Sequence, residues 1–259
     1  MLTFYFSIHC YISLGTIVNK FLYPIGLSLA GPLLCMNRGL IMIMLFAASF
    51  MFLLRYRIKV KFIITAIIFL LLTLYLFGVS GNFRINDSSG ESFLHTGGAT
   101  DEFRNSIIPK EYFWSYIYMV TPIGNLQNAI NINKTLKEDE NGYESLIAHE
   151  ILPSFIGKRL NVKSRNGRDY LVVPALNVGT MYFGACISKG IEGMAIVFLV
   201  MIFYCIFMLK TVSNKCIFYI PMLCILSSMI FFSIFSNMVV FMGLLPQLAI
   251  IFFLRHKQC

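Results

Sequence analysis

Acidic residues are absent from most of this chain. All twelve lie between Asp87 and Glu192, and the sequence on either side of that window carries none. Charge of either sign is scarce, at 13% of residues, while 58% are hydrophobic and the mean hydropathy is +0.75. Soluble domains carry about twice that share of charge, so an ordinary soluble domain is excluded and no nucleic-acid partner is expected. Nucleotide motifs are missing too. There is no P-loop and no GxGxxG following a strand, so a transfer reaction would have to draw its energy from its own donor. The seven cysteines stand at 10, 35, 186, 205, 216, 224 and 259, none of them between 80 and 176. No pair has metal-ligand spacing. They read as small apolar packers, and no metal or other cofactor is expected. The opening MLTFYFSIHCYISLGTIV has neither a basic segment nor a small-residue cleavage site, so it does not read as a signal peptide. The alternating pattern of an outer-membrane barrel is lacking as well.

What the chain does have is long apolar runs, near 2–18, 21–36, 40–54, 62–79, 192–209 and 216–254. A helix needs about 20 apolar residues to cross the hydrocarbon core, and backbone groups in lipid must bond within their own segment. The last run is too long for one helix and is expected to break around Ser233–Met238. The expectation is an all-α polytopic membrane protein of about seven spans. Residues 1–79 would form a four-helix membrane part, 80–190 a large loop, and 191–259 a three-helix part with a short tail.

Basic residues orient it. Outside the acidic window, besides Arg84 in the loop, stand Lys20, Arg38, Arg55, Arg57, Lys59, Lys61, Lys210, Lys215, Arg255 and Lys257. The turn RYRIKVK (Arg55–Lys61) is a strong cytoplasmic signal by the positive-inside rule. Alternation from it puts Lys20, Lys210, Lys215 and the C-terminus in the cytoplasm. Arg38 and the loop 80–190 then face outward, which in a bacterial inner membrane is the periplasm.

The loop is long enough to be a domain of its own. Residues 80–106 are polar and rich in glycine and serine. EYFWSYIYMVTPIGNLQNAI (111–130) is aromatic and apolar, and the single tryptophan, Trp114, suits a membrane interface. An interfacial or re-entrant helix is expected there, broken at Pro122 and Gly124. An acidic surface (134–145) and a short amphipathic helix ending near Pro153 follow. Then come five cations within eleven residues, Lys158, Arg159, Lys163, Arg165 and Arg168, answered by Asp169 alone. The glycine-rich stretch 171–193 leads back into the membrane, and its small residues permit close helix approach.

Arginine forks bind phosphate bidentately. Arg38 at the outer end of a span and Arg168 in the loop are therefore candidates to hold a lipid-linked diphosphate, with Arg159 and Arg165 in support. The plain alternative for each is contact with anionic lipid headgroups. His149, with Glu150 beside it, is the candidate base. Its plain alternative is a surface histidine on a short helix.

These pieces, in this order, resemble the Wzy-type O-antigen and oligosaccharide repeat-unit polymerases, relatives of the O-antigen ligases. NRGLIMIM, with Arg38, is similar to the family's Ser-Arg-Gly opening of an outward-facing span. Tyr118, Pro122, Asn125 and Leu126 match a Tyr-x-x-x-Pro-x-x-Asn-Leu segment of the large loop. Arg168 and Gly179 stand in R-x10-G spacing, and His149 and Gly157 in H-x7-G. Gly190 and Gly193 resemble the G-x-x-G that opens the following helix. The resemblance implies metal-independent transfer of a glycan from one undecaprenyl diphosphate to another repeat unit, with no cofactor. Arg38, Arg159, Arg165 and Arg168 would bind substrate, and Arg38, Arg168 and His149 would be catalytic. Implied partners are the lipid-linked oligosaccharide, membrane lipids, and a chain-length regulator and flippase of the same pathway.

The chain departs from the family in three places. Seven spans are fewer than the usual ten or more, as though N-terminal spans were absent. Thr180 stands near where histidine or asparagine is usual, and Lys189 where an acid often is. A ligase, acting on lipid A-core, is the same-chemistry alternative. A transporter of lipid-linked sugar would want charges within its spans, which these lack. An inactive scaffold or fragment is the remaining alternative.

Overall fold

A computed structural model describes residues 24–28, 30, 38–55, 60–85, 90–134, 141–163, 165–241 and 244–258. The expected first span, 2–18, lies outside them. So do most of the second, 21–36, and residues 135–140 of the acidic surface. Among the described residues every regular element is helical, and there is no strand. The long helices are α1 (Arg38–Arg55), α2 (Val60–Arg84), α3 (Tyr112–Asn133), α4 (Met181–Thr211), α5 (Tyr219–Phe232) and α6 (Leu245–Gln258).

Helix α2 follows from an unbroken apolar run with no proline and no charge between Lys61 and Arg84. Its 25 residues rise about 37 Å, more than the ~30 Å hydrocarbon core. Only 6% of its most apolar window is buried, against 22% for α4. A core helix of a soluble protein would have that surface covered. Here Ile63, Ile67, Phe69 and Leu71 stand open, as lipid-facing side chains do. α2 and α4 are the two described helices long and apolar enough to cross a membrane. α1, α5 and α6 carry shorter apolar stretches, Gly39–Met51, Tyr219–Phe232 and Leu245–Leu254.

The expected break at 233–238 is present. α5 stops at Phe232, Ser233 accepts a hydrogen bond from Met181 N at 2.8 Å, and α6 begins at Leu245. Packing between α1 and α5 is aromatic and thioether-rich. Phe46 stacks on Phe231 at 4.4 Å, and Met44, Met222 and Met229 are fully buried. Cys186, Cys205 and Cys224 carry free thiols, whereas Cys216, expected as an apolar packer, is disulfide-bonded.

Helix α3 does not break where its sequence predicts. It runs through Pro122 to Asn133, although proline removes a helix hydrogen bond and crowds the preceding turn. Contacts on both sides of the proline hold it. Ahead of it, the Tyr112 hydroxyl donates to Leu71 O at 3.3 Å and Ser115 Oγ to Leu74 O at 3.0 Å. Gly78 and Gly81 admit the Glu111 backbone and the Trp114 ring, where a Cβ would collide with each. Beyond the proline, Asn125, Asn128 and Asn133 all bond the segment 170–186. α3 thus bridges the end of α2 and the start of α4.

Helix α4 is kinked. Lys189 (φ −143°, ψ 26°) and Gly190 (φ 59°, ψ −140°) leave helical geometry, separating Met181–Ser188 from the apolar stretch after Ile191. The run expected to span from 192 begins just past this kink.

Candidate functional site

The first turns of α4 are a meeting point, and the chain reaches them from three directions. Thr180 caps the helix, its Oγ1 accepting from Tyr182 N at 3.2 Å. Against this end folds a helix of unusual pitch. After Gly142–Leu146 the chain widens into a π-turn over Ile147–Ile151 and ends at Pro153. Such turns recur at functional sites. This one carries His149 and Glu150.

Glu150 is the less expected of the two. Its carboxyl lies over Gly184, where a Cβ would collide with Oε1. Asn237, in the turn after α5, donates from Nδ2 to Glu150 Oε2 and to the Glu150 backbone oxygen, each at 2.9 Å. Burial raises the carboxyl's pKa above its ordinary 4.5, offset in part by the Asn237 hydrogen bond and the charge of His149. This half-buried carboxyl, its pKa raised by burial, ties the loop to the α5–α6 turn.

His149 places Nε2 3.1 Å from the carbonyl oxygen of Val162. A carbonyl only accepts, so Nε2 donates to it, and in the neutral imidazole Nδ1 is left with its lone pair. The same bond fastens the π-turn to the cationic stretch. Gly157, the partner of His149 in the H-x7-G spacing, packs against the Ala148 carbonyl so closely that a Cβ would collide with it.

The cations themselves divide. Arg165 is anchored: its guanidinium donates to Asn133 Oδ1 at 3.3 Å and to the Tyr170 hydroxyl at 3.5 Å. Asn133 donates in turn to the carbonyl oxygen and, at 3.6 Å, the sulfur of Cys186. Arg168 lies in a tight 3-10 turn, Gly167–Tyr170, capped by Asn166 Oδ1 on its backbone N at 3.2 Å. Its side chain is exposed and meets no hydrogen-bonding or charged partner among the described residues. A Cβ added at neighbouring Gly167 would lie 3.9 Å from Phe183 and Ile187 of α4. Gly179, which completes R-x10-G with Arg168, packs on the Phe183 ring. Arg159 is exposed in the turn after Gly157.

His149, Arg165 and Arg168 thus gather around Met181–Ser188. Arg38 opens α1, but its side chain lies outside the described residues. Asn133 and Asn237 were not singled out in the sequence, and Glu150 only as the neighbour of His149. The only hint of Asn237 was its place in the expected break. Among the described residues no group of three histidine, cysteine or acidic side chains is arranged to hold a metal. Chemically, the arrangement offers an open guanidinium, a second one fixed beside it in sequence, and an imidazole lone pair, all near the end of an apolar helix. No protein-family model, curated protein or solved structure matches the chain.

Proposed function

We propose that the chain transfers a glycan between polyprenyl-diphosphate-linked repeat units, polymerising a surface polysaccharide at the outer face of a bacterial inner membrane. The observation that carries this reading is the cationic stretch folded onto the first turns of α4, with Arg168 open and His149 bonded to the stretch at Val162. A lipid-linked diphosphate would bring its anion to that place at the end of an apolar helix.

In the reaction, the bond between the donor's anomeric carbon and the diphosphate oxygen breaks, and its electron pair leaves with the diphosphate. Arg168 and Arg38 neutralise that charge, with Arg165 and Arg159 in support. The acceptor hydroxyl oxygen forms the new glycosidic bond, and its proton goes to Nδ1 of His149. Seven spans and an outward-facing loop 80–190 belong to this reading. Ligation to lipid A-core is the same chemistry with a different acceptor.

A lipopolysaccharide gel of the native strain with the gene deleted tests the proposal. The expected result is a ladder reduced to core plus one repeat unit. Complementation with Lys158→Ala restores the ladder, and with Arg168→Ala it does not. An unchanged ladder on deletion overturns polymerisation, and complete loss of all repeat units from the core points to ligation instead.

A further inference from the structure

A cavity of about 230 Å³ opens between α3, the short helix Glu91–Thr96 and the extended segment 175–178. We propose that it binds a neutral sugar ring. None of its lining residues belongs to the cationic site.

Its chemistry is mixed in a specific way. Phe93, Trp114 and Tyr118 supply aromatic wall, while Thr96, Thr121 and Asn177 bring polar groups to it. The hydroxyls of Tyr118 and Thr121 and the amide of Asn177 make no hydrogen bond among the described residues. Thr96 donates to Ser92 O at 2.9 Å and retains its lone pairs. Among the described residues no charged side chain lines the space. An apolar pocket with a few convergent polar groups is the usual form of a small-molecule site. An anion would enter without a counter-charge, and an acyl chain would leave three polar groups without partners. A neutral polyol with one C–H face satisfies both kinds of wall.

The walls are held in place before any ligand arrives. Trp114 stacks on Phe93 with ring centroids 3.5 Å apart, and its Nε1 donates to Asn82 Oδ1 at 2.6 Å. Asn125, fully buried, donates to Leu176 O at 2.9 Å and Val178 O at 2.8 Å and accepts from Val172 N at 3.0 Å. That one side chain pins the extended wall to α3. Two residues of the Tyr-x-x-x-Pro-x-x-Asn-Leu segment thus line and brace the cavity. The choice of a sugar among neutral polyols rests on the glycan-transfer reading.

Trp114 is the only tryptophan in the chain, so its fluorescence reports this cavity alone. The purified full chain in detergent would be titrated with methyl glucoside, methyl galactoside, methyl rhamnoside and N-acetylglucosamine, with glucuronate as the charged counter-probe. At least one neutral sugar is expected to change the emission saturably. Thr121→Val and Asn177→Leu should each weaken it about tenfold, as loss of one hydrogen bond does. Lys158→Ala should leave it unchanged. Unliganded emission matching the parent chain confirms that a variant is folded. No saturable response to any neutral sugar overturns the proposal, as does an undiminished response in both variants or tighter binding of glucuronate. Binding is read without turnover, so its failure beside a deletion-sensitive ladder removes the cavity's role and leaves polymerisation standing.

Discussion

Glu150 is defined by residues far from it in sequence. Gly184 makes room for its carboxyl and Asn237, 87 positions on, bonds it. Nothing in IAHEILP announces that contact, so the sequence draws attention to His149, the residue type used most often as a general base. The raised pKa of Glu150 has a consequence for stability. The folded chain binds this proton more tightly than the unfolded chain, so the favourable contribution is complete below pH 4.5 and is lost as pH rises toward the raised value. Glu150→Gln keeps an acceptor for Asn237 and removes the ionisation. Thermal unfolding of the detergent-solubilised chain should show equal midpoints for parent and variant at about pH 4, and a higher midpoint for the variant at about pH 8. Parallel curves across that range would show that the carboxyl is not held against its ionisation.

At the scale of elements, apolar period and length were legible. α2, the break after Phe232 and the start of the stretch beyond Gly190 all fall where hydropathy places them. Two features were not. Pro122 and Gly124 predicted an end to α3, but the asparagines that carry the helix onward bond residues 170–186, remote in sequence. The geometry of the kink in α4 was not legible: a helix start near Gly190 was expected, but not a left-handed glycine joining two helical stretches. These two glycines give a sharp comparison. A Cβ at either Gly124 or Gly190 meets nothing within 4 Å, so packing predicts the same tolerance at both. Backbone conformation predicts opposite signs. Gly124 is helical, and Gly124→Ala should stabilise by about 0.4–1 kcal/mol by restricting the unfolded chain. Gly190 has φ 59° and ψ −140°, close to glycine-only space, and Gly190→Ala should cost about 1–3 kcal/mol. Unfolding midpoints of the two variants should move in opposite directions. A rise in both would mean that α4 straightens without penalty.

For the whole molecule, the proposed transfer turns on which side of a membrane the cationic stretch occupies. The apolar faces of α2 and α4 run without protein cover from Ile63 to Leu76 and from Phe198 to Phe207, and their exposure to water would favour association. Such faces say that a membrane suits the molecule, but they are symmetric with respect to its two sides. Only charge breaks that symmetry. Lys210 in the last turn of α4 and Lys215 in the short turn before α5 have no acid after Glu192 to balance them. Short loops of that kind stay in the cytoplasm, whereas long loops cross regardless of charge. Lys158 and Lys215 are both exposed, so cysteines substituted there are equally open to reagent on their own side. An impermeant maleimide added to intact sphaeroplasts should label Lys158→Cys above the background of the unaltered chain and spare Lys215→Cys until the cells are lysed. Cys186 and Cys224 are buried and Cys205 is half-buried, so the unaltered chain sets the background. Labelling of Lys215→Cys alone would put the cations in the cytoplasm. There a diphosphate at the outer leaflet could not reach Arg168, and the proposed transfer would fail with it.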